Sequence, residues 1–135
     1  MERIAVPFSL ERYELKSAVT VRGVVRLEPD ALVIEFRETT MSMTTLAETD
    51  GEVREFRVPI DELESVEVER RWLWSPRLRI RTRTLTALRD IPGAAGNECV
   101  LPIRRGERLR ARELSVSAAL LLSGRELKRI EEGGE

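Results

Sequence analysis

The chain of 135 residues contains no histidine and a single cysteine, Cys99. Histidine is the usual general base near neutral pH and the commonest metal ligand, so its absence excludes Ser-His-Asp and Cys-His catalysis. One cysteine cannot form a disulfide within the chain, and a reducing cytoplasm is the simplest location for such a protein. The carboxylates show no spacing that marks an acid–base pair. We therefore expect no catalytic residues, no cofactor and no metal site.

Long hydrophobic runs are also absent. The longest is 118–122, whereas a membrane helix needs roughly 20 apolar residues. The N-terminus lacks a basic region followed by an apolar one, so neither a signal peptide nor a transmembrane segment is expected. A net charge of −1 and 41% hydrophobic residues, in a chain of this length, are typical of one globular domain.

Period-two alternation of apolar and charged residues predicts a series of short strands. The predicted strands are 18–27, 32–37, 55–60, 66–72, 77–84 and 99–103. Gly23 lies inside the first of them, which suggests a bulge or a bend. Residues 39–50 are rich in Thr and Met and are interpreted as a long mobile loop. Alternatively, they extend the flanking strands into a protruding hairpin, with Met41 and Met43 as an adaptable contact surface.

The period changes to that of a helix after residue 107. Four apolar residues share the face that we expect to cover the sheets: Ala111, Leu114, Ala118 and Leu121. Gly124 is predicted to end this helix, and the tail beyond it to be a short frayed helix at most. A second apolar stripe, Leu109, Val116 and Leu120, points to nearly the opposite side. Either Ile4, Val6 and Phe8 fold over this stripe, or another subunit covers it.

Antiparallel strands followed by one amphipathic helix form an α+β pattern. The segment 58–66, Val-Pro-Ile-Asp-Glu-Leu-Glu-Ser-Val, with the alternating strand after it and the helix 108–121, resembles a bacterial pleckstrin-homology-like domain. The resemblance covers residues 17–122, leaving 1–16 as an N-terminal extension (strand or arm) and 123–135 as a tail. It implies a bent antiparallel barrel or sandwich of about seven strands, capped by the C-terminal helix.

The same resemblance implies an interaction scaffold that binds proteins or anionic lipid heads and often self-assembles. In lipid-binding members a lysine-rich cluster holds the phosphates, whereas the segment 22–30 offers only Arg22 and Arg26 among acidic residues. Phosphoinositide binding is therefore not expected.

An arginine row on one strand is the clearest charged feature. If Leu78 and Ile80 face the core, four arginines line the opposite face: Arg77, Arg79, Arg81 and Arg83. One interpretation is an anion-binding patch, since arginine binds phosphate in bidentate fashion. The other is that Glu67 and Glu69, on the preceding strand, pair with the row. The row has no interleaved aromatic residues, so nucleic acid is not an expected partner.

Trp74 is interpreted as either a partner anchor or a ring folded over the sheet edge, whereas Trp72 is expected to face the core. Taken together, these features predict a non-enzymatic scaffold or protein-interaction module that self-associates, with Leu109, Val116, Leu120 and Trp74 as its candidate interface. The alternative is a module that recognises an anionic ligand, a lipid head group or a nucleic acid, through the arginine row.

Overall fold

Alternating apolar and charged residues fold this chain into two antiparallel sheets followed by one helix. The computed structural model describes residues 4–70, 75–85 and 87–133. The strands of this described part are β1 (Ala5–Glu14), β2 (Ser17–Leu27), β3 (Ala31–Ser42), β4 (Glu48–Asp50), β5 (Arg54–Pro59), β6 (Leu63–Glu69), β7 (Arg77–Thr82), β8 (Ala94–Ala95) and β9 (Glu98–Pro102). Short 3₁₀ turns at Ile60–Glu62 and Arg105–Glu107 precede β6 and the helix α1 (Arg108–Gly133). The mainly β, α+β class is confirmed, and the two sheets do not close into a barrel.

The first sheet is a meander of β1, β2 and β3, with β4 and β5 both pairing along the far edge of β3. Val21 and Val25 of β2 are fully buried, whereas Arg22 between them is exposed, as alternation along a strand requires. Val6 and Phe8 of β1 are buried in the same core. Most of the predicted N-terminal extension is therefore a strand of this sheet.

Gly23 lies opposite Phe8 of β1 and Phe36 of β3 in continuous register, so the predicted bulge is wrong. A Cβ at this position would meet the carbonyl oxygen of Glu35 and would lie 2.7 Å from Phe8 Cζ and 2.8 Å from Phe36 Cβ. The position requires glycine because the neighbouring strands leave no room for a side chain.

The Thr-rich segment after residue 38 is a hairpin, and its interpretation as a long loop is wrong. β3 continues to Ser42, and β4 returns against it with Thr39 opposite Asp50. The Thr39 hydroxyl donates a hydrogen bond to the Asp50 carboxylate over 2.9 Å. The alternative of a protruding hairpin is confirmed, with Met41 half-buried and Met43 exposed near its tip.

The second sheet has the order β6-β7-β9-β8 and completes the core. Leu78 and Ile80 of β7 are fully buried, as the alternation predicts. Leu88 and Ile91, from the segment between β7 and β8, are buried in the same cluster. Both tryptophans fall in 71–74, between β6 and β7, so the predictions for Trp72 and Trp74 lie outside the described residues.

Helix α1 packs on β6 with its predicted inner face. Ala111, Leu114 and Ala118 are fully buried, and the Ser115 hydroxyl donates a hydrogen bond to the Val66 carbonyl over 2.6 Å. The predicted stop at Gly124 is wrong, because the helix continues to Gly133. Within the part of the chain that the structure describes, no helix is long and apolar enough to cross a bilayer.

Two ion pairs accompany the part of α1 that follows Gly124. Arg125 lies 3.6 Å from Asp61, and Glu126 lies 3.9 Å from Arg83. The residues after Gly124 are mostly strong helix formers, and one glycine inside a helix costs only about 1 kcal/mol. The helix therefore passes through a residue that often ends one.

Candidate interaction surface

The outward side of α1 carries the second apolar stripe that the sequence predicted, and the fold leaves it uncovered. Leu109 is 69% exposed, Val116 55% and Leu120 69%. Val6 and Phe8, which were one candidate cover, are instead buried in the core. The intramolecular cover proposed for them is therefore wrong.

The stripe continues into the last turns of α1. Leu127 and Ile130 are exposed on the same side, since they follow Leu109 by 18 and 21 residues and a helix repeats every 3.6. Sequence reasoning missed both residues because it ended the helix at Gly124. We call these five residues the outer stripe: Leu109, Val116, Leu120, Leu127 and Ile130. It extends about 32 Å along the helix axis.

An open groove borders the N-terminal half of the outer stripe, with a volume of about 500 Å³. Its lining is Ile4, Leu109, Arg112, Glu113, Val116 and Ser117. Ile4 forms one wall and is the one residue of the predicted N-terminal cover that reaches this side. The groove has a mainly apolar floor with one arginine and one glutamate at its rim, a composition suited to an apolar side chain flanked by charge.

The arginine row of β7 is paired with carboxylates from both neighbouring strands. Glu69 of β6 lies 2.6 Å from Arg77 and 2.7 Å from Arg79. Glu98 of β9 lies 3.2 Å from Arg79 and 3.1 Å from Arg81. The hydrogen bond from Arg81 to Glu98 raises the pKa of that guanidinium above its ordinary value. This arrangement favours the ion-paired interpretation of the row over an anion-binding patch.

Sequence reasoning identified only part of this ion-paired array. Of the two glutamates it named, Glu69 forms ion pairs with the row, and Glu67 acts on Arg81 through its charge. It missed Glu98, because the pairing of β9 with β7 is not visible in local alternation. Arg83, the last arginine of the row, lies 3.9 Å from Glu126 of α1. The arginines of the row therefore contact carboxylates of three other elements, β6, β9 and α1.

A second exposed apolar group lies at the tips of two adjacent hairpins. Leu15 is 98% exposed between β1 and β2, and Met43 and Leu46 are exposed between β3 and β4. The tips are joined by a hydrogen bond from the Met43 amide to the Lys16 carbonyl, 2.9 Å long. Of this group, sequence reasoning noticed only Met43. The tips belong to the sheets rather than to α1. A substitution at a tip can therefore serve as a control for a substitution in the outer stripe.

The single thiol does not belong to any exposed surface. Cys99 is fully buried in β9, and its Sγ donates a hydrogen bond to the Pro92 carbonyl over 3.3 Å. Burial raises its pKa to about 12. The thiolate, which is the reactive form, is therefore nearly absent at neutral pH.

Comparison of the chain with protein-family models, with curated proteins and with solved structures finds no match.

Proposed function

We propose that this protein is a non-enzymatic interaction module that associates with a second copy of itself through the outer stripe of α1. The observation that carries the proposal is an apolar stripe exposed along about six turns of a helix whose other side is already in the core. Contiguous exposed apolar surface of this kind usually marks a site of association. A cytoplasmic location goes with the proposal and rests on cysteine usage alone.

The arrangement of the helix on the sheets supports a second copy as the occupant. The sheets pack against the inner side of α1, where Ala111 and Leu114 are buried. If two copies meet through their outer stripes, their α1 helices form a pair, and the sheets of the two copies lie on opposite sides of this pair. A patch that contacts the same patch of another copy forms a closed dimer, the commonest symmetric assembly.

We also propose that the domain is pleckstrin-homology-like. The order of elements supports this: a meander of β1 to β3, completed by β4 and β5, precedes a second meander of β6, β7 and β9 and a C-terminal helix. The likeness concerns architecture only, so no ligand site is transferred from that family. The arginine row supports no second function, because its arginines face carboxylates.

The double variant Leu109→Asp/Leu120→Asp tests the proposed interface. Four carboxylates would be buried in the dimer interface, so we expect its dissociation constant to rise at least about 100-fold. The thermal melt of the monomer, followed by circular dichroism, should change little, because both leucines are exposed in the single chain. Sedimentation equilibrium measures the dissociation constant.

Leu15→Asp is the matched control, since it places the same charge on the exposed hairpin tip. We expect this control to retain the wild-type dissociation constant. The proposal is wrong if the double variant unfolds, which would make the stripe part of the core. It is also wrong if the double variant stays dimeric, or if Leu15→Asp alone produces monomers.

A further inference from the structure

The first and last turns of α1 lack the charges that its own dipole favours. Its first turn contains no acidic residue and its last turn no basic one. Arg108, Arg110 and Arg112 instead occupy the N-terminal turns, and Glu131 lies near the C-terminus. Cations at the positive end of a helix and anions at its negative end are unfavourable. An antiparallel neighbouring helix reverses this effect, because its C-terminal end lies beside these arginines.

We propose that the second copy docks with its α1 antiparallel to the first, around a two-fold axis that passes close to Leu120. This inference rests on the proposed self-association and adds its orientation and register. The axis position follows from the outer stripe, whose midpoint between Leu109 and Ile130 falls at residues 119–120.

Charge complementarity along the helix supports the antiparallel orientation. At 100° per residue, Arg112 and Glu126 lie on one flank of the outer stripe. Four further residues lie on the other flank: Arg110, Glu113, Lys128 and Glu131. A two-fold axis perpendicular to the helices brings each flank beside the same flank of the partner.

Opposite charges then meet on both flanks. In this register, two residues face each other when their residue numbers add up to about 240. Arg112 therefore lies beside the partner's Glu126. On the other flank, the partner's Lys128 lies between the levels of Glu113 and Arg110, and the partner's Glu131 lies beyond Arg110.

The groove fits the same register. In the antiparallel pair, the partner's Leu127 and Ile130 come to the level of Arg112 and Leu109. Both residues are exposed in the single chain. In this register they lie over the groove that Leu109 and Ile4 line. The apolar residues at the C-terminal end of one outer stripe therefore face the apolar lining at the N-terminal end of the other.

Cysteine cross-linking tests the register. In the antiparallel dimer, residue 116 faces the partner's residue 123. The two residues 116 lie about 9 Å or more apart along the helix axis, and so do the two residues 123. We expect an oxidised mixture of Val116→Cys and Ser123→Cys chains to form a disulfide-linked dimer, and neither variant to do so alone. The native Cys99 is buried and does not interfere.

Charge reversal supplies the second readout. Arg112→Glu and Glu126→Arg each place like charges at two symmetric contacts, so each should weaken its own homodimer about tenfold. A mixture of the two variants restores both contacts and should associate with wild-type affinity. Arg22→Glu, on the exposed face of β2, is the control that should have no effect.

The outcomes separate the inference from the proposed function. Ser123→Cys chains that cross-link alone would show a parallel pair and overturn the inference, while the self-association would stand. A dimer by mass whose mixed cysteine variants do not cross-link overturns it equally. A wild-type chain that stays monomeric overturns both.

Discussion

Gly23→Ala is expected to destabilise the fold by about 2–3 kcal/mol. The added methyl group would meet the Glu35 carbonyl oxygen, and it would also crowd Phe8 Cζ and Phe36 Cβ, which belong to residues buried in the core. Because a backbone atom of β3 is among the contacts, relief requires the first sheet to spread. Urea denaturation followed by circular dichroism measures the loss.

Gly124→Ala is the matched control for this substitution. No atom lies within 4 Å of a Cβ built at Gly124, which sits in the interior of α1. Alanine is favoured over glycine there by about 0.5–1 kcal/mol, so the same chemical change should stabilise the protein. If Gly23→Ala leaves the free energy of unfolding unchanged, the close approach of β2 and β3 is wrong.

Leu114→Ala is expected to lower the free energy of unfolding by about 3 kcal/mol. Leu114 is fully buried on the inner side of α1, so truncation removes apolar contacts and leaves a cavity between the helix and the sheets. Urea denaturation in a Leu109→Asp background gives the value for the monomer, since dimerisation would otherwise add to the apparent stability.

Leu120→Ala in the same background is the control. Leu120 is exposed, so its truncation should change the free energy of unfolding by no more than about 0.5 kcal/mol. The two leucines are six residues apart on one helix and have the same chemistry. Equal losses for both would contradict the assignment of an inner and an outer side to α1.

The strands with one buried face could be predicted, because apolar and polar residues alternate along such a strand. β7 is the clearest case, where Leu78 and Ile80 alternate with arginines. The outer part of β3 was not predictable in this way, since residues 39–42 are held by pairing with β2 and β4 while neither face is fully buried. Backbone hydrogen bonds leave no pattern of hydrophobicity.

The candidate site was predictable in part. The spacing of Leu109, Val116 and Leu120 identified an apolar stripe without reference to the fold. Its extension to Leu127 and Ile130 depended on where α1 ends, and a glycine does not determine this when the residues after it favour a helix. Whether Val6 and Phe8 covered the stripe depended on the packing of β1, which local alternation cannot specify.

The pairing of the arginine row was also only partly predictable. The pairing of Glu69 with the row could be predicted, because β6 and β7 are consecutive strands and were expected to form a hairpin. Glu98 belongs to a strand that follows a long segment containing Leu88 and Ile91, and its position beside Arg79 and Arg81 results from the sheet order. Non-local strand pairing decided the charge balance of that face.

The solution mass of the wild-type protein, by light scattering after size exclusion at low and high salt, tests the central claim most directly. We expect a dimer of the 15.4 kDa chain at both salt concentrations, since the outer stripe is apolar and only its flanking charges are screened. A monomer under both conditions, at protein concentrations up to about 1 mM, would contradict the claim that α1 is a self-association surface.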